Sequence, residues 1–240
     1  MDIKKSEYTH IGGRLENEDS VCCEILNAHS AYAAVADGLG GHGDGRLASQ
    51  IAVNHLSGCA RCTVLPSEEQ IRKWLHDANE EILLKNKSAA GMKSTAVFLA
   101  LFHNCAVWAH IGDSRLYHFY EGRMEHYTCD HSIPQIQVVA GELTRDQIPF
   151  SPDRNKVLQA LGNTDTEPEI SPAIQLQPGH HAFLLCTDGF WEYLSDEEIW
   201  LDLNKSESPA AWLTYLRCRG ECRKGGDADN NTAVALFVDI

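Results

Sequence analysis

Short runs rich in β-branched, aromatic and small apolar residues recur along the chain, each closed by turn-forming residues. They are Ser20 to Leu26, Ala31 to Ala36, Ser94 to Leu101, Cys105 to Ile111, Arg115 to Tyr120, His181 to Cys186 and Thr232 to Val238, and such runs predict strands. Phe102-His103-Asn104 and Tyr120-Glu121-Gly122-Arg123 have the chemistry of tight antiparallel connections, so neighbouring runs pair as hairpins. The apolar spacing turns helical from Gly45 to about Leu56 and from Ser67 to about Lys87. Ser67 followed by Glu68, Glu69 and Gln70 makes a good N-terminal cap. Two further helices are predicted at Asp196 to Leu203 and at Pro209 to Arg219, the second with proline at its start and basic residues near its end. Runs of strands separated by helix pairs predict an α+β domain, with sheet packed on sheet and helices outside.

No repeat, low-complexity tract or Pro/Gly/Ser-rich linker interrupts the pattern, so residues 1–240 read as one domain. A length of 240 residues with 43% hydrophobic and 22% charged positions supports a substantial core. No apolar run reaches the length of a membrane span, and the N-terminus enters polar residues directly, which makes a cytoplasmic protein the expectation. The formal net charge of -14 argues against nucleic-acid binding, which needs clustered Lys and Arg, and suits cations instead. Nine cysteines is an odd number, and Cys105 and Cys186 lie in strand-like runs, so free thiols in a reducing compartment are expected. Cys59/Cys62 and Cys218/Cys222 could be imagined as two halves of a zinc site, but their spacing is unremarkable.

The placement of three aspartates is more informative. Asp37 ends the run Ala31 to Ala36, Asp188 follows Phe183-Leu184-Leu185-Cys186-Thr187, and Asp229 precedes the terminal strand. Asp37 and Asp188 are each followed by glycine, which allows a sharp turn and close approach of backbone to a ligand. One Asp-Gly pair is ordinarily only a turn. Three carboxylates at strand ends, without an organised histidine set, favour Mg²⁺ or Mn²⁺ over zinc. Two such ions roughly 3.5 to 4 Å apart can share a hydroxide aimed at phosphorus.

Eight segments, in order, resemble the metal-dependent protein phosphatases of the protein phosphatase 2C (PPM) type, nearly end to end and in the compact bacterial form. They are Arg14-Leu15-Glu16-Asn17-Glu18-Asp19-Ser20, Val35-Ala36-Asp37-Gly38-Leu39-Gly40-Gly41-His42-Gly43-Asp44-Gly45, Ser94-Thr95-Ala96 and Ile111-Gly112-Asp113-Ser114-Arg115. Asp130-His131-Ser132, Ala160-Leu161-Gly162, Cys186-Thr187-Asp188-Gly189 and Asp229-Asn230-Asn231-Thr232 complete the set.

The resemblance implies a sandwich of two antiparallel β-sheets flanked by helices on both outer faces. It implies hydrolysis of phosphoserine and phosphothreonine in proteins by water or hydroxide bridging two Mn²⁺ or Mg²⁺ ions. Asp37, Asp188, Asp229 and the Gly38 carbonyl would be the metal ligands, Asp113 the ligand of a third, weaker ion, and Glu18 and Asp19 outer partners of metal waters. Arg14 would clamp the phosphate, its planar fork of donors suiting two oxygens at once. The stretch from Ile133 to Asn155, with Pro134, Gly141, Pro149 and Pro152, resembles the flap beside the active site, and its composition suits a mobile segment that touches substrate protein. One departure stands out: many relatives carry a histidine directly after the first Asp-Gly, whereas this chain has Leu39, which cannot carry a proton. His42 lies close by and would as readily brace the loop. By family analogy the partners are phosphoproteins of a bacterial Ser/Thr kinase, such as the kinase of a type VI secretion system, and the enzyme is a monomer.

Three rivals are weaker. Gly38-Leu39-Gly40-Gly41-His42-Gly43 matches a dinucleotide fingerprint, but Asp37 would oppose the pyrophosphate and no strand ending in an acid follows at the required distance. Asp227-Ala228-Asp229 could serve an aspartate-nucleophile hydrolase, yet it lies too near the C-terminus to carry that fold. A catalytically weak pseudophosphatase that only binds phosphoproteins is opposed by the intact aspartates.

Overall fold

The computed structural model describes residues 1–40, 44–60, 64–86 and 91–240. Strands β1 (Asp2–His10), β2 (Ser20–Asn27), β3 (Ser30–Ala36) and the short β4 (Gly38–Leu39) lead into helices α1 (Asp44–Ala60) and α2 (Glu68–Lys85). Then come β5 (Lys93–Ser94), β6 (Ala96–Phe102), β7 (Cys105–Ile111), β8 (Arg115–Tyr120) and β9 (Arg123–Tyr127). Helix α3 (Ile133–Val139) and a 3-10 turn at Arg145–Phe150 precede β10 (Glu169–Ile170), β11 (Ile174–Gln175) and β12 (His180–Cys186). Helices α4 (Asp188–Trp191), α5 (Asp196–Leu203) and α6 (Pro209–Arg223) then lead to β13 (Asn231–Asp239).

All pairings are antiparallel. One sheet runs β1-β13-β12-β8-β9 and the other β10-β7-β6-β3-β2, with β11 also on β7 and a small β4-β5 pair beside them. The central strands are buried on both faces, which is why they read as continuous apolar runs. On β3, Ala31, Ala33 and Val35 face the other sheet's Phe183, Leu185, Val234 and Leu236, while Tyr32, Ala34 and Ala36 turn outward onto α1 and α2. On the far side Tyr117, Phe119, Leu184 and Ala235 meet Trp191, Ile199, Trp212 and Leu216 of α4, α5 and α6. The result is the expected sandwich of two sheets with helices on both outer faces.

Local chemistry fixes the junctions. The Ser67 side chain accepts from Gln70 N–H while the Gln70 side chain accepts from Ser67 N–H, a reciprocal cap that starts α2. The β8–β9 hairpin closes on Glu121 and Gly122, with φ of 48° and 71°, the left-handed pair that matches strand twist in a two-residue turn.

The structure departs from the sequence expectations in several places. β1 was not anticipated: its sequence DIKKSEYTH contains no buried residue, and the strand is held as a sheet edge by an unbroken register from Asp2↔Asp239 to His10↔Asn231. β9 was missed for a similar reason, since RMEHY is largely exposed. The expected run from Ser94 to Leu101 is split at Thr95, whose backbone and side chain are diverted to Asp37. α1 and α6 also continue past their expected ends.

Candidate metal centre

Three loops at one end of the sandwich bring the sequence-predicted acids together. Asp37 sits between β3 and β4, and its backbone is held on both sides. Its N–H donates to Thr95 Oγ1 at 2.9 Å, and its carbonyl accepts from Thr95 N–H and from Ser94 Oγ–H, each at 2.9 Å. Thr95 Oγ1 is bonded in turn to Ser114 Oγ at 2.7 Å, which links this loop to the one that carries Asp113. A Cβ at Gly38 would overlap the Gly45 carbonyl at the start of α1, so only glycine lets the chain leave Asp37 along this path.

Asp188 opens α4, and its Oδ1 accepts the Gly189 N–H at 2.6 Å. Gly189 packs so closely on the 229–230 backbone that a Cβ there would overlap the Asn230 carbonyl. The loops of Asp188 and Asp229 are therefore locked face to face. Thr187 N–H donates to the Thr232 carbonyl at 3.0 Å, and Thr232 N–H donates to Thr187 Oγ1 at 3.0 Å.

Asn230 performs a task that the sequence did not disclose. Its Oδ1 accepts from Glu18 N–H at 2.8 Å, and its Nδ2 donates to the carbonyls of Ile11 and Glu16 at 2.7 and 3.0 Å. One amide thus fastens the N-terminal segment to the C-terminal loop. Its only advance signal was its place beside Asp229.

That segment delivers Arg14, Glu18 and Asp19. Arg14 NH2 donates to Asp229 Oδ2 at 2.6 Å, with both groups partly open to solvent. The Glu18 carboxylate faces the backbone N–H groups of Gly45 and Arg46 in the first turn of α1. Asp19 is buried, and its Oδ2 accepts from Thr187 Oγ1 at 2.9 Å.

A cavity of about 710 Å³ opens over these groups. Among the described residues its lining holds six acids (Glu16, Glu18, Asp37, Asp113, Asp188 and Asp229) against one cation, Arg14. The electrostatic consequence is severe. Burial, and then the charge of Asp188, pushes the Asp37 carboxyl well above the usual range, and burial followed by the charge of Asp113 does the same to Asp188. Burial raises Asp113 to about 7, with Asp130 adding to it, and raises Asp19 to about 6. At neutral pH such a set either holds protons or binds cations. Asp19 Oδ1 and Asp113 Oδ1 are buried without a protein partner, an expensive arrangement that a hard cation and its water shell would satisfy. Among the described residues the lining offers oxygen donors and neither histidine nor cysteine, the donor set of Mg²⁺ or Mn²⁺.

Leu39 lies at the cavity wall, half-buried on β4. His42, considered as a brace or an acid, lies outside the described residues, as does Cys62 of the imagined zinc pairs. Cys218 and Cys222 are free and exposed on α6. The flap-like stretch is tied down more firmly than its composition implied. Ile148 is buried against the outer core, and Arg145 donates to Asp196 at 2.7 Å while lying 3.7 Å over the Tyr127 ring. Ile136, Val139 and Phe150 nonetheless remain exposed on its surface.

Known proteins resemble this chain in sequence and fold. A family model described as Protein phosphatase 2C matches residues 7–217. The protein phosphatase PhpP of Streptococcus pneumoniae is 32% identical over 233 residues, covering 94% of this chain and 93% of that protein. The structure of PppA, described as a key regulatory component of the T6SS in Pseudomonas aeruginosa, is 30% identical with a TM-score of 0.83, covering 98% of this chain and 97% of that one. A crystal structure of the catalytic domain of the serine/threonine phosphatase PstP in complex with two manganese ions gives a TM-score of 0.81 at 27% identity, covering 99% of each chain.

Proposed function

The chain belongs to the protein phosphatase 2C family and is a protein serine/threonine phosphatase, and from that premise we propose which of its residues carry the hydrolysis. Asp37, the Gly38 carbonyl, Asp188 and Asp229 would hold two Mn²⁺ or Mg²⁺ ions, and Asp113 would hold a third. When bound, these ions would supply positive charge near the phosphoryl oxygens and lower the pKa of water so that hydroxide is available as nucleophile at neutral pH. The observation that carries this reading is the convergence of six acids on one cavity, with a buried carboxylate oxygen of Asp113, one of the six, and another of nearby Asp19 lacking a hydrogen-bond partner. The PstP complex with two manganese ions supports it.

The remaining residues position. Glu18, held by the α1 N-terminus, and Asp19, held by Thr187, fix the periphery of the cluster so that its ligands stay in place. Arg14 reaches the cavity from the N-terminal segment and grips phosphate oxygens, its present bond to Asp229 keeping the guanidinium near the ligands. Leu39 has no proton to give, so the leaving oxygen of serine or threonine takes its proton from another group. Leu15, fully exposed on the cavity rim, and the flap's Val139 and Phe150 offer apolar contacts to a substrate protein.

Substrates are phosphoproteins. The finer reading is a single catalytic domain over residues 1–240 acting as a cytoplasmic monomer against a bacterial Ser/Thr kinase. The likeness to PppA favours a kinase associated with type VI secretion. No helix among the described residues is long and apolar enough to cross a membrane.

Two experiments test the site. Enzyme stripped with EDTA is expected to lose turnover on a phosphothreonine peptide and to regain it with Mn²⁺. Undiminished turnover in excess chelator overturns the metal assignment, and absence of turnover with saturating Mn²⁺ favours the pseudophosphatase. Arg14→Ala is expected to raise KM for the peptide at least as much as it lowers kcat, since the side chain binds phosphate in ground and transition states alike. An unchanged KM removes Arg14 from phosphate binding.

A further inference from the structure

Three metal-binding side chains also converge outside the acidic cavity. His110 lies near the end of β7, Glu169 is its direct cross-strand partner on β10, and His131 comes from the loop after β9. One donor atom from each lies within 4.8 Å of the others. The two imidazole rings stack with centroids 4.6 Å apart, and His131 Nε2 stands 3.8 Å from Glu169 Oε2. Donors around a tetrahedral zinc, at bond lengths of about 2.0–2.1 Å, are separated by roughly 3.3–3.5 Å, so small side-chain rotations close the gap.

The tautomer of His110 is fixed by its surroundings. Its Nε2 lies 2.8 Å from the Cys129 carbonyl, which only accepts, so Nε2 carries the proton and Nδ1 keeps the lone pair. A ring N–H tied to a backbone carbonyl is the support that metal-ligating histidines ordinarily have. Burial holds both imidazoles below their ordinary range, which keeps them neutral and able to ligate.

We propose that His110, His131 and Glu169 form a site for one zinc-class dication, separate from the oxygen-lined cavity. The three protein ligands leave a fourth position to water, as in open zinc sites. His131 Nδ1 accepts the Gly112 N–H at 3.3 Å, so ligation through Nε2 moves the ring proton to Nδ1 and releases that bond. Gly112 adjoins Asp113, and occupancy is thereby coupled to the loop that enters the acidic cavity.

The test uses untagged protein with Mg²⁺ in large excess, so that the oxygen-donor cavity is filled, dialysed against micromolar Zn²⁺. Wild type is expected to retain about one zinc more than the His131→Asn/Glu169→Ala double variant. Imidazole scattering at the zinc X-ray absorption edge should be present in the first and lost in the second. Glu169→Ala alone changes an exposed side chain, so it tests the site even if the double variant fails to fold. It should weaken zinc binding about tenfold or more, the least that even an outer-ligand loss costs. Equal zinc content in wild type and a folded double variant overturns the site, as does unchanged affinity in Glu169→Ala.

Discussion

Asp188→Asn is expected to slow turnover of a phosphothreonine peptide by about 10²–10³-fold, the consequence of losing several kcal/mol of charge stabilisation at phosphorus. The same substitution should raise the melting temperature of metal-stripped protein. The two effects have one cause. Asp188 is buried among Asp113, Asp229 and Asp19, which pushes its carboxyl well above the usual range in the folded chain. An acid whose proton affinity rises on folding opposes folding at every pH above its unfolded value, near ~3.9 for Asp, because the folded state must hold a charge it disfavours or take up a proton. The amide removes that penalty at pH 7, and its Oδ1 can still accept the Gly189 N–H that Asp188 Oδ1 accepts at 2.6 Å. The gap in melting temperature should therefore narrow as pH falls toward ~3.9 and close below it, where the wild-type carboxyl is neutral in both states. Saturating Mn²⁺ should stabilise wild type much more than the variant. Wild-type kinetics in Asp188→Asn removes the residue from the site, and a lower melting temperature without metal makes its carboxylate a structural ion instead.

The positions of Asp37, Asp188 and Asp229 were legible because each follows or precedes a run whose apolar pattern marks a buried strand, and although one acid at such an end is ordinarily a turn, three together point to a cation. Arg14, Glu18 and Asp19 were legible only through the resemblance: nothing in their local pattern says that Asn230 carries them across the molecule to the C-terminal loop. Thr95 and Thr187 were hidden for the same reason, since a threonine at a strand end looks like strand and its bond to a distant loop leaves no periodic trace. The buried strands declared themselves by composition, whereas β1 and β9 did not, because an edge strand is defined by backbone pairing rather than by what it buries. The His110, His131 and Glu169 cluster was likewise invisible. The β7–β10 pairing sets His110 beside Glu169 and the loop after β9 adds His131, which alone lay within a recognised motif.

Asp130 belongs to that same motif, and its loss should be the most damaging single change to the fold away from the aspartate cluster. Arg115 Nε and NH2 donate to Asp130 Oδ1 and Oδ2 at 2.8 and 2.7 Å, a bidentate pair whose side chains are only 5% and 2% exposed. Arg115 NH1 donates to the Tyr117 hydroxyl at 3.2 Å, and the guanidinium lies 3.3 Å over the Trp191 ring. Removing one member of such a pair strands the other charge without water. Asp130→Ala is therefore expected to cost about 3–5 kcal/mol, read as a lower urea midpoint with unchanged slope. The double variant Arg115→Met/Asp130→Ala should recover most of the loss, because a methionine fills the space without a charge to solvate. A cost below about 1 kcal/mol in Asp130→Ala would mean that water reaches the pair as it reaches a surface ion pair. The damage should also reach the cavity in a defined direction. Asp113 is raised to about 7 by burial first and by the charge of Asp130 next, while Arg115 pulls it down. With Asp130 gone, Arg115 becomes an unshared counter-charge to Asp113 and competes with any cation held there. The Mn²⁺ concentration needed for half-maximal turnover should rise in Asp130→Ala and return toward wild type in the double variant. An unchanged Mn²⁺ requirement in a destabilised but folded Asp130→Ala would separate the fold's debt to this pair from the chemistry of Asp113.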